Sequence, residues 1–215
     1  MAAGNGTGTA HGRDDVLLRL RTGTAGEHEE LEGTLDLLDP ALGRDRLAEV
    51  LGRLHGFWVA AEAGLDRWAA ASPADAGAVD WPRRRRAALF AADVRTLGAT
   101  PPSEGPALPA VPDTDSALGR LYVLEGSTLG GTLIERHLAS LPSLADVRIR
   151  AFSPYGERTG AMWAAFRRVT RERVAGGGDA GAMVDSARGT FRALGAWSRP
   201  AAPAPAPDGP GQPPT

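Results

Sequence analysis

The sequence predicts an all-α fold, a single helical domain of about seven to eight helices over residues 13–198, with tails at 1–12 and 199–215. Three observations carry this. Apolar residues recur at spacings of three and four along proline-free runs, the period of a helix face. The runs are separated by helix-breaking pairs such as Pro40 with Gly43, Ser72-Pro73 and the Gly176-Gly177-Gly178 triplet. No stretch reads as a strand, and no repeat of 20 to 50 residues is present.

Each element has its own signal. From residue 14 to 39 there is no proline, and Asp14 or Asp15 can cap a helix whose seam is Leu17, Leu20, Thr24, His28, Leu31, Leu35 and Leu38. A second helix is expected over 44–71, with Leu47, Leu51, Leu54, Trp58, Ala61, Leu65 and Trp68 inward and His55 beside that seam as a structural residue. Asp80-Trp81-Pro82 opens a short helix with proline near its first turn, followed by Arg83, Arg84, Arg85 and Arg86 and then by Leu89, Phe90, Val94 and Leu97 as its buried side. The four arginines read as a solvated face, or as a docking patch for an acidic partner. A proline-rich loop over 98–112 leads to Asp113 or Asp115, either of which can cap the next helix. Two more helices are expected, one from about residue 158 with Met162, Trp163, Phe166 and Val169 on one side, and one over about 179–197 with Val184, Ala187, Phe191, Leu194 and Trp197 inward. The Gly/Thr/Ala-rich residues 1–12 and the Pro/Ala/Gly-rich residues from 200 onward read as disordered tails.

The stretch 121–138 organises the rest. It has the residue types of one long helix, with apolar positions at Leu118, Leu121, Leu124 or Glu125, Leu129, Leu133 and Ile134. Yet Gly126, Gly130 and Gly131 interrupt it. Each glycine costs about 1 kcal/mol relative to alanine in a helix interior. Gly126 and Gly130 lie four apart and share a face, with Gly131 beside them. Such a face lacks side chains and can bend, so a planar group can lie on it; tight helix packing is the other use of the same pattern.

Composition narrows the function. The net charge is −2, which gives no sign of nucleic-acid binding, and no apolar run approaches 18 residues, so no membrane span is expected. The absence of cysteine excludes disulfides, thiolate metal sites, cysteine nucleophiles and covalent c-type haem attachment. The N-terminus lacks the basic end and apolar centre of a signal peptide, so a cytoplasmic protein is expected. Phosphate-cradling glycine loops, a nucleophile elbow and the zinc motif His-Glu-x-x-His are all missing. No Glu-x-x-His occurs, against a ferritin-like di-iron bundle. What remains is His28 on an apolar seam, Glu32 one turn later where it can orient the imidazole, a glycine-faced helix and scattered arginines. That set suits a large planar anionic cofactor: a histidine on its iron, bare backbone on the other side and arginines on its carboxylates.

Residues 20–32, Leu-Arg-Thr-Gly-Thr-Ala-Gly-Glu-His-Glu-Glu-Leu-Glu, resemble the proximal helix of the haem oxygenases, and residues 122–131, Tyr-Val-Leu-Glu-Gly-Ser-Thr-Leu-Gly-Gly, resemble their distal helix. The wording is nearest the bacterial, bacteriophytochrome-associated branch, and the similarity covers about residues 15–198. The resemblance implies haem b held between the two helices and opened with O2 to biliverdin, carbon monoxide and ferrous iron. It implies that His28 ligates the iron, that Glu32 supports it, that Arg21 and Arg167 meet the propionates, and that Gly126, Ser127, Gly130 and Gly131 form the distal side. Many members carry aspartate where this chain has Ser127, a weaker organiser of water. No flavin or nicotinamide motif is present, so electrons are expected from an external ferredoxin or reductase, docked by Arg83 to Arg86 or by the arginines near Arg167. The resemblance leaves two outlets open, biliverdin for a bacteriophytochrome or iron as the desired product. The competing readings are a haem carrier or sensor without turnover and a haem-free helical interaction module.

Overall fold

The structure is a computed structural model and describes residues 15–199. The tails expected at 1–12 and 199–215 therefore lie outside the described residues, apart from Arg199, as does Asp14. Nine α-helices and three short 3-10 turns make up the described residues, and no strand occurs among them. In chain order the helices are α1 (Val16–Gly23), α2 (Ala25–Leu35), α3 (Arg44–Ala71), α4 (Pro73–Ala78), α5 (Ala87–Thr96), α6 (Thr114–Gly126), α7 (Gly131–Ser140), α8 (Thr159–Ala175) and α9 (Ala180–Ser198).

α9 is the hub on one side: it packs on α6, α2, α1 and α3. α3 is the hub on the other, packing on α5, α4 and α6. The α3 seam is inward as its spacing predicts, with Leu47, Leu51, Ala61 and Leu65 fully buried and Leu54, Trp58 and Trp68 nearly so. The α6–α9 crossing is close because Gly119 has no Cβ; one placed there would sit 2.2 Å from the Met183 carbonyl oxygen of α9.

Two expected helices are broken. The 14–39 run splits at Thr24, whose φ of −120° leaves helical space while its hydroxyl donates to the Leu20 carbonyl at 2.8 Å. That local bond competes with the backbone ladder. The seam beyond it is correspondingly loose: Leu31 is buried, but His28 and Leu38 are exposed. The 114–138 run ends at Gly126, passes through tight turns, and restarts at Gly131. The break turns Leu129 and Leu133 outward, and the apolar seam resumes only at Ile134 and Leu138 of α7.

Asp115 ties three elements at one end of the bundle. It accepts from Arg173 Nε at 2.7 Å and Nη2 at 3.2 Å, and from the Asp179 backbone N–H at 3.0 Å at the start of α9. These donors hold its carboxyl below its ordinary value of 3.8, although burial, the largest single influence, pushes upward. A depressed folded pKa contributes stability above the unfolded value that is lost as pH falls through the folded one. Asp115→Asn is therefore expected to lower stability at pH 7 by about 1–3 kcal/mol, and urea unfolding should show the gap to the native chain closing at acidic pH, below 3.8. Gly119→Ala is expected to cost about 1–3 kcal/mol through overpacking. Gly126→Ala meets no atom within 4 Å, and in the same urea series it should be neutral or stabilising.

Candidate functional site

His28 lies in the second turn of α2, with its side chain 55% exposed and Nδ1 3.7 Å from Glu32 Oε2. The i,i+4 spacing brings the two together within ion-pair reach, and the carboxylate can orient the ring. The imidazole edge rests against Phe191 of α9, with centroids 5.7 Å apart and planes at 82°. His55, by contrast, is half-buried against the 98–112 loop, and burial lowers its pKa. The structure thus leaves His28 as the accessible histidine of the first seam.

The junction of α1 and α2 meets α6 at one corner. Tyr122 of α6 lies beside Thr24 and Arg21; burial raises the Tyr122 pKa, and these two neighbours draw it back. On its other side Tyr122 faces the Trp163 ring of α8 at 6.0 Å. Arg167 follows Trp163 by one helical turn, and its buried Nε has no hydrogen-bond partner among the described residues. Arg21 is exposed. One turn past this corner on α2 stands His28, and one turn past it on α6 stands Gly126. α2 packs on α9 rather than along α6, so the two helices part beyond the corner.

The glycines of the 121–138 stretch fall into two classes. A Cβ at Gly126 or Gly130 would meet no atom within 4 Å. A Cβ at Gly131 would lie 2.1 Å from the Phe152 carbonyl oxygen and 2.8 Å from Ser153 Oγ. Gly131 is therefore a packing glycine that seats the 150s segment against α7, and it is not part of the open face on which the sequence placed it. Gly126 and Gly130 are open, and exposed Leu129 lies between them.

Behind the open glycines is a buried polar network. Glu125, 1% exposed, pairs through Oε2 with Arg84 Nη1 and accepts at Oε1 from the Tyr155 hydroxyl at 2.8 Å. Burial pushes the Glu125 carboxyl up, with Arg84 the main opposing influence; burial, and then Glu125, push the Tyr155 phenol up. Arg84 also donates from Nε to the Val79 carbonyl and from Nη2 to the Met162 carbonyl at 3.3 Å. Arg86, also 1% exposed, lays its guanidinium 3.9 Å from the Trp58 ring centroid. It donates to Ala151 O at 3.0 Å, to Leu124 O at 2.7 Å and to Ser127 Oγ at 2.6 Å. The Ser127 hydroxyl donates in turn to Leu124 O at 2.7 Å. Glu62 of α3 caps α5 by accepting from the Arg86 and Ala87 backbone N–H groups at 2.6 and 2.7 Å.

This corrects the expectation for the four arginines. Arg84 and Arg86 are core residues, and the two that stay outside are paired, Arg83 with Asp80 at 3.4 Å and Arg85 with Asp66. The 3-10 turn over Trp81–Arg84 and the extended Arg85 point alternate side chains to opposite sides, so the run forms neither a basic patch nor a wholly solvated face. The arginines near Arg167 are likewise engaged: Arg168 with Glu172, Arg171 with Asp15 and Arg173 with Asp115. One signal in the sequence pointed to the network, namely Glu125 at an inward position of an apolar seam, because a buried carboxylate demands a cation.

No group of three or more His, Cys, Asp or Glu side chains is arranged to hold a bare metal ion among the described residues. Nor, among them, is any helix long and apolar enough to cross a membrane. No protein-family model matches the chain. A haem oxygenase of Xanthomonas campestris pv. campestris is 30% identical over 131 residues, 60% of this chain and 74% of that one. The fold matches the NO- and CO-bound haem oxygenase of Neisseria meningitidis with a TM-score of 0.69, over 91% of this chain and 98% of that one, at 22% identity. The second likeness is one of fold, in keeping with the all-helical architecture; the first extends across most of a relative's length, and with it the chain belongs to the haem oxygenase family.

Proposed function

We propose that this chain opens haem b oxidatively to biliverdin, carbon monoxide and ferrous iron, using O2 and electrons from a separate ferredoxin or reductase. The observation that carries the reading is the open backbone at Gly126 and Gly130, one turn beyond the corner from which α2 leads to the exposed His28. Gly126 closes α6 and Gly130 precedes α7, and no neighbour within 4 Å uses the space that a Cβ would take at either. The residues fit a haem: an accessible imidazole, an open backbone face, an exposed arginine at Arg21 and an unpartnered buried nitrogen on Arg167.

Haem supplies the redox iron and is itself the substrate. His28 would hold the iron through the imidazole nitrogen that does not face Glu32, with the Glu32 carboxylate orienting the ring. Arg21, beside Tyr122, and Arg167, one turn after Trp163, would meet the propionates. Gly126 and Gly130 would present bare backbone to the haem, where the lack of side chains would leave room for O2. Gly131 acts from behind, by seating the Phe152 carbonyl. A cytoplasmic location and delivery of biliverdin to a bacteriophytochrome complete the reading.

The test is hemin added to the native chain, followed by a chemical reductant in air. A Soret band that decays as biliverdin absorbance grows supports the reading; a Soret band that persists assigns a carrier, and no Soret band assigns a haem-free helical module. His28→Ala should weaken hemin binding by about tenfold or more, equivalent to about 1.4 kcal/mol. Gly130→Leu should suppress biliverdin formation with an unchanged unfolding midpoint, because its side chain enters open space. Gly131→Leu should instead lower the unfolding midpoint, because the Phe152 carbonyl occupies the position.

A further inference from the structure

Arg86 is a buried cation held by neutral groups. Its three acceptors are two backbone carbonyls and one hydroxyl. The nearest carboxylate, Glu125, has both oxygens engaged, one by Arg84 and one by Tyr155. Glu62 accepts the Arg86 backbone N–H and not its guanidinium. The Arg86 Nε is buried with no partner among the described residues. Burial draws its pKa down to about 10 even with Glu125, Tyr155 and Glu62 opposing, and it remains charged at neutral pH. A buried charge without a directly bound counter-charge is costly to stability, and apolar side chains of similar volume often do as well or better in such places. Its bonds to Leu124 O and Ala151 O fasten the end of α6 to the 150s segment, and its bond to Ser127 is the one that reaches beyond the core.

The contacts show where its charge is felt. Leu124 O and Ala151 O lie in the core, and Trp58 covers the guanidinium face. Of the groups it touches, Ser127 alone belongs to an exposed residue, and it follows Gly126 directly. Nη2 carries two hydrogens and bonds both Leu124 O and Ser127 Oγ. The Ser127 hydrogen is spent on Leu124 O and one of its lone pairs on Arg86. A serine hydroxyl has one donor and two acceptor sites, so a single lone pair is left over.

We infer that Arg86 is a positioning residue of the distal side, acting through Ser127: it locks the hydroxyl as an acceptor, so that a water bound there keeps a proton for the open face, and it lends that face a positive field. This rests on the proposed haem-binding role of the Gly126–Gly130 face. The consequence is electrostatic, since a nearby cation favours the deprotonated form of a titrating group.

The test titrates the ferric hemin complex with base and reads the midpoint of its alkaline visible-spectrum transition, in the native chain, Arg86→Met, Ser127→Ala and the double variant. Arg86→Met keeps an unbranched stem for Trp58 and removes the charge; it should raise the midpoint by about half a unit or more. Ser127→Ala, an exposed-residue change, should raise it less, and the double variant should match Arg86→Met because both break one path. An unmoved midpoint in Arg86→Met with a lowered unfolding temperature makes Arg86 purely structural and overturns the inference. Strict additivity overturns action through Ser127. If Arg86→Met does not fold, Ser127→Ala decides, and a midpoint that fails to rise overturns the inference. Absence of a Soret band in the native chain defeats the haem reading itself, whereas a normal band with unmoved midpoints defeats this inference alone.

Discussion

The structure depends on a charge pair buried where α6 ends. Arg84 and Glu125 are each 1% exposed and bound to one another, and Tyr155 and the Val79 and Met162 carbonyls take up the remaining polar capacity. Removing one partner of such a pair costs about 3–5 kcal/mol, because the other is left charged in the core. The pair therefore tolerates few arrangements of the elements that supply it: the turn before α5, the last turn of α6, the start of α8 and the 150s segment. It draws all of these to one side of the end of α6 and leaves Gly126 open on the other.

The rest of the site follows from that division. The orphan carbonyls at the end of α6 need donors. They receive them from within: Leu124 O from Arg86 and Ser127, and Glu125 O from the Thr128 backbone and hydroxyl. No outer side chain is needed to close the helix, so Gly126 and Gly130 can face open space. Asp93 performs the matching service for the 150s segment, accepting from the Arg150 and Ala151 N–H groups at 3.0 and 2.8 Å. That holds the Phe152 carbonyl in the place Gly131 makes for it. A break in a helix usually loosens it; here the break is fastened on one side and bare on the other.

Legibility in the sequence followed how local the determining contact was. The α3 seam could be read because a 3.6-residue period and one core suffice to define it. The His28–Glu32 relation could be read because i,i+4 geometry is fixed within one helix. The split of the first run at Thr24 could not, since threonine is tolerated in many helices and the Leu20 bond competes only in context. Glycines 126, 130 and 131 look alike in sequence, and Gly131 is set apart by a carbonyl 21 residues further on. Arg83 to Arg86 were the least legible. Four identical residues carry no pattern, and their alternation between solvent and core comes from a 3-10 turn followed by extended backbone. Glu125 was the usable clue, but its partner lies 41 residues away.

The same network gives a reason for serine at position 127, where many relatives of this resemblance carry aspartate. Glu125 already supplies one carboxylate to this core, and Arg84 and Tyr155 occupy it. An aspartate at 127 would place a second carboxylate against Arg86, where serine now accepts at 2.6 Å. A charge-assisted bond of that kind is about twice as strong as a neutral one, and it would stabilise the break. It would also cancel the guanidinium charge at the only contact through which that charge reaches an exposed residue. Serine keeps the bond and leaves the cation uncompensated. An aspartate orders water with its own charge; in this chain the charge stands one bond further back, on Arg86, and is of the opposite sign. The end of α6 is therefore built on a buried cation with an accepting hydroxyl in front of it, and serine at 127 and the burial of Arg86 are two parts of one arrangement.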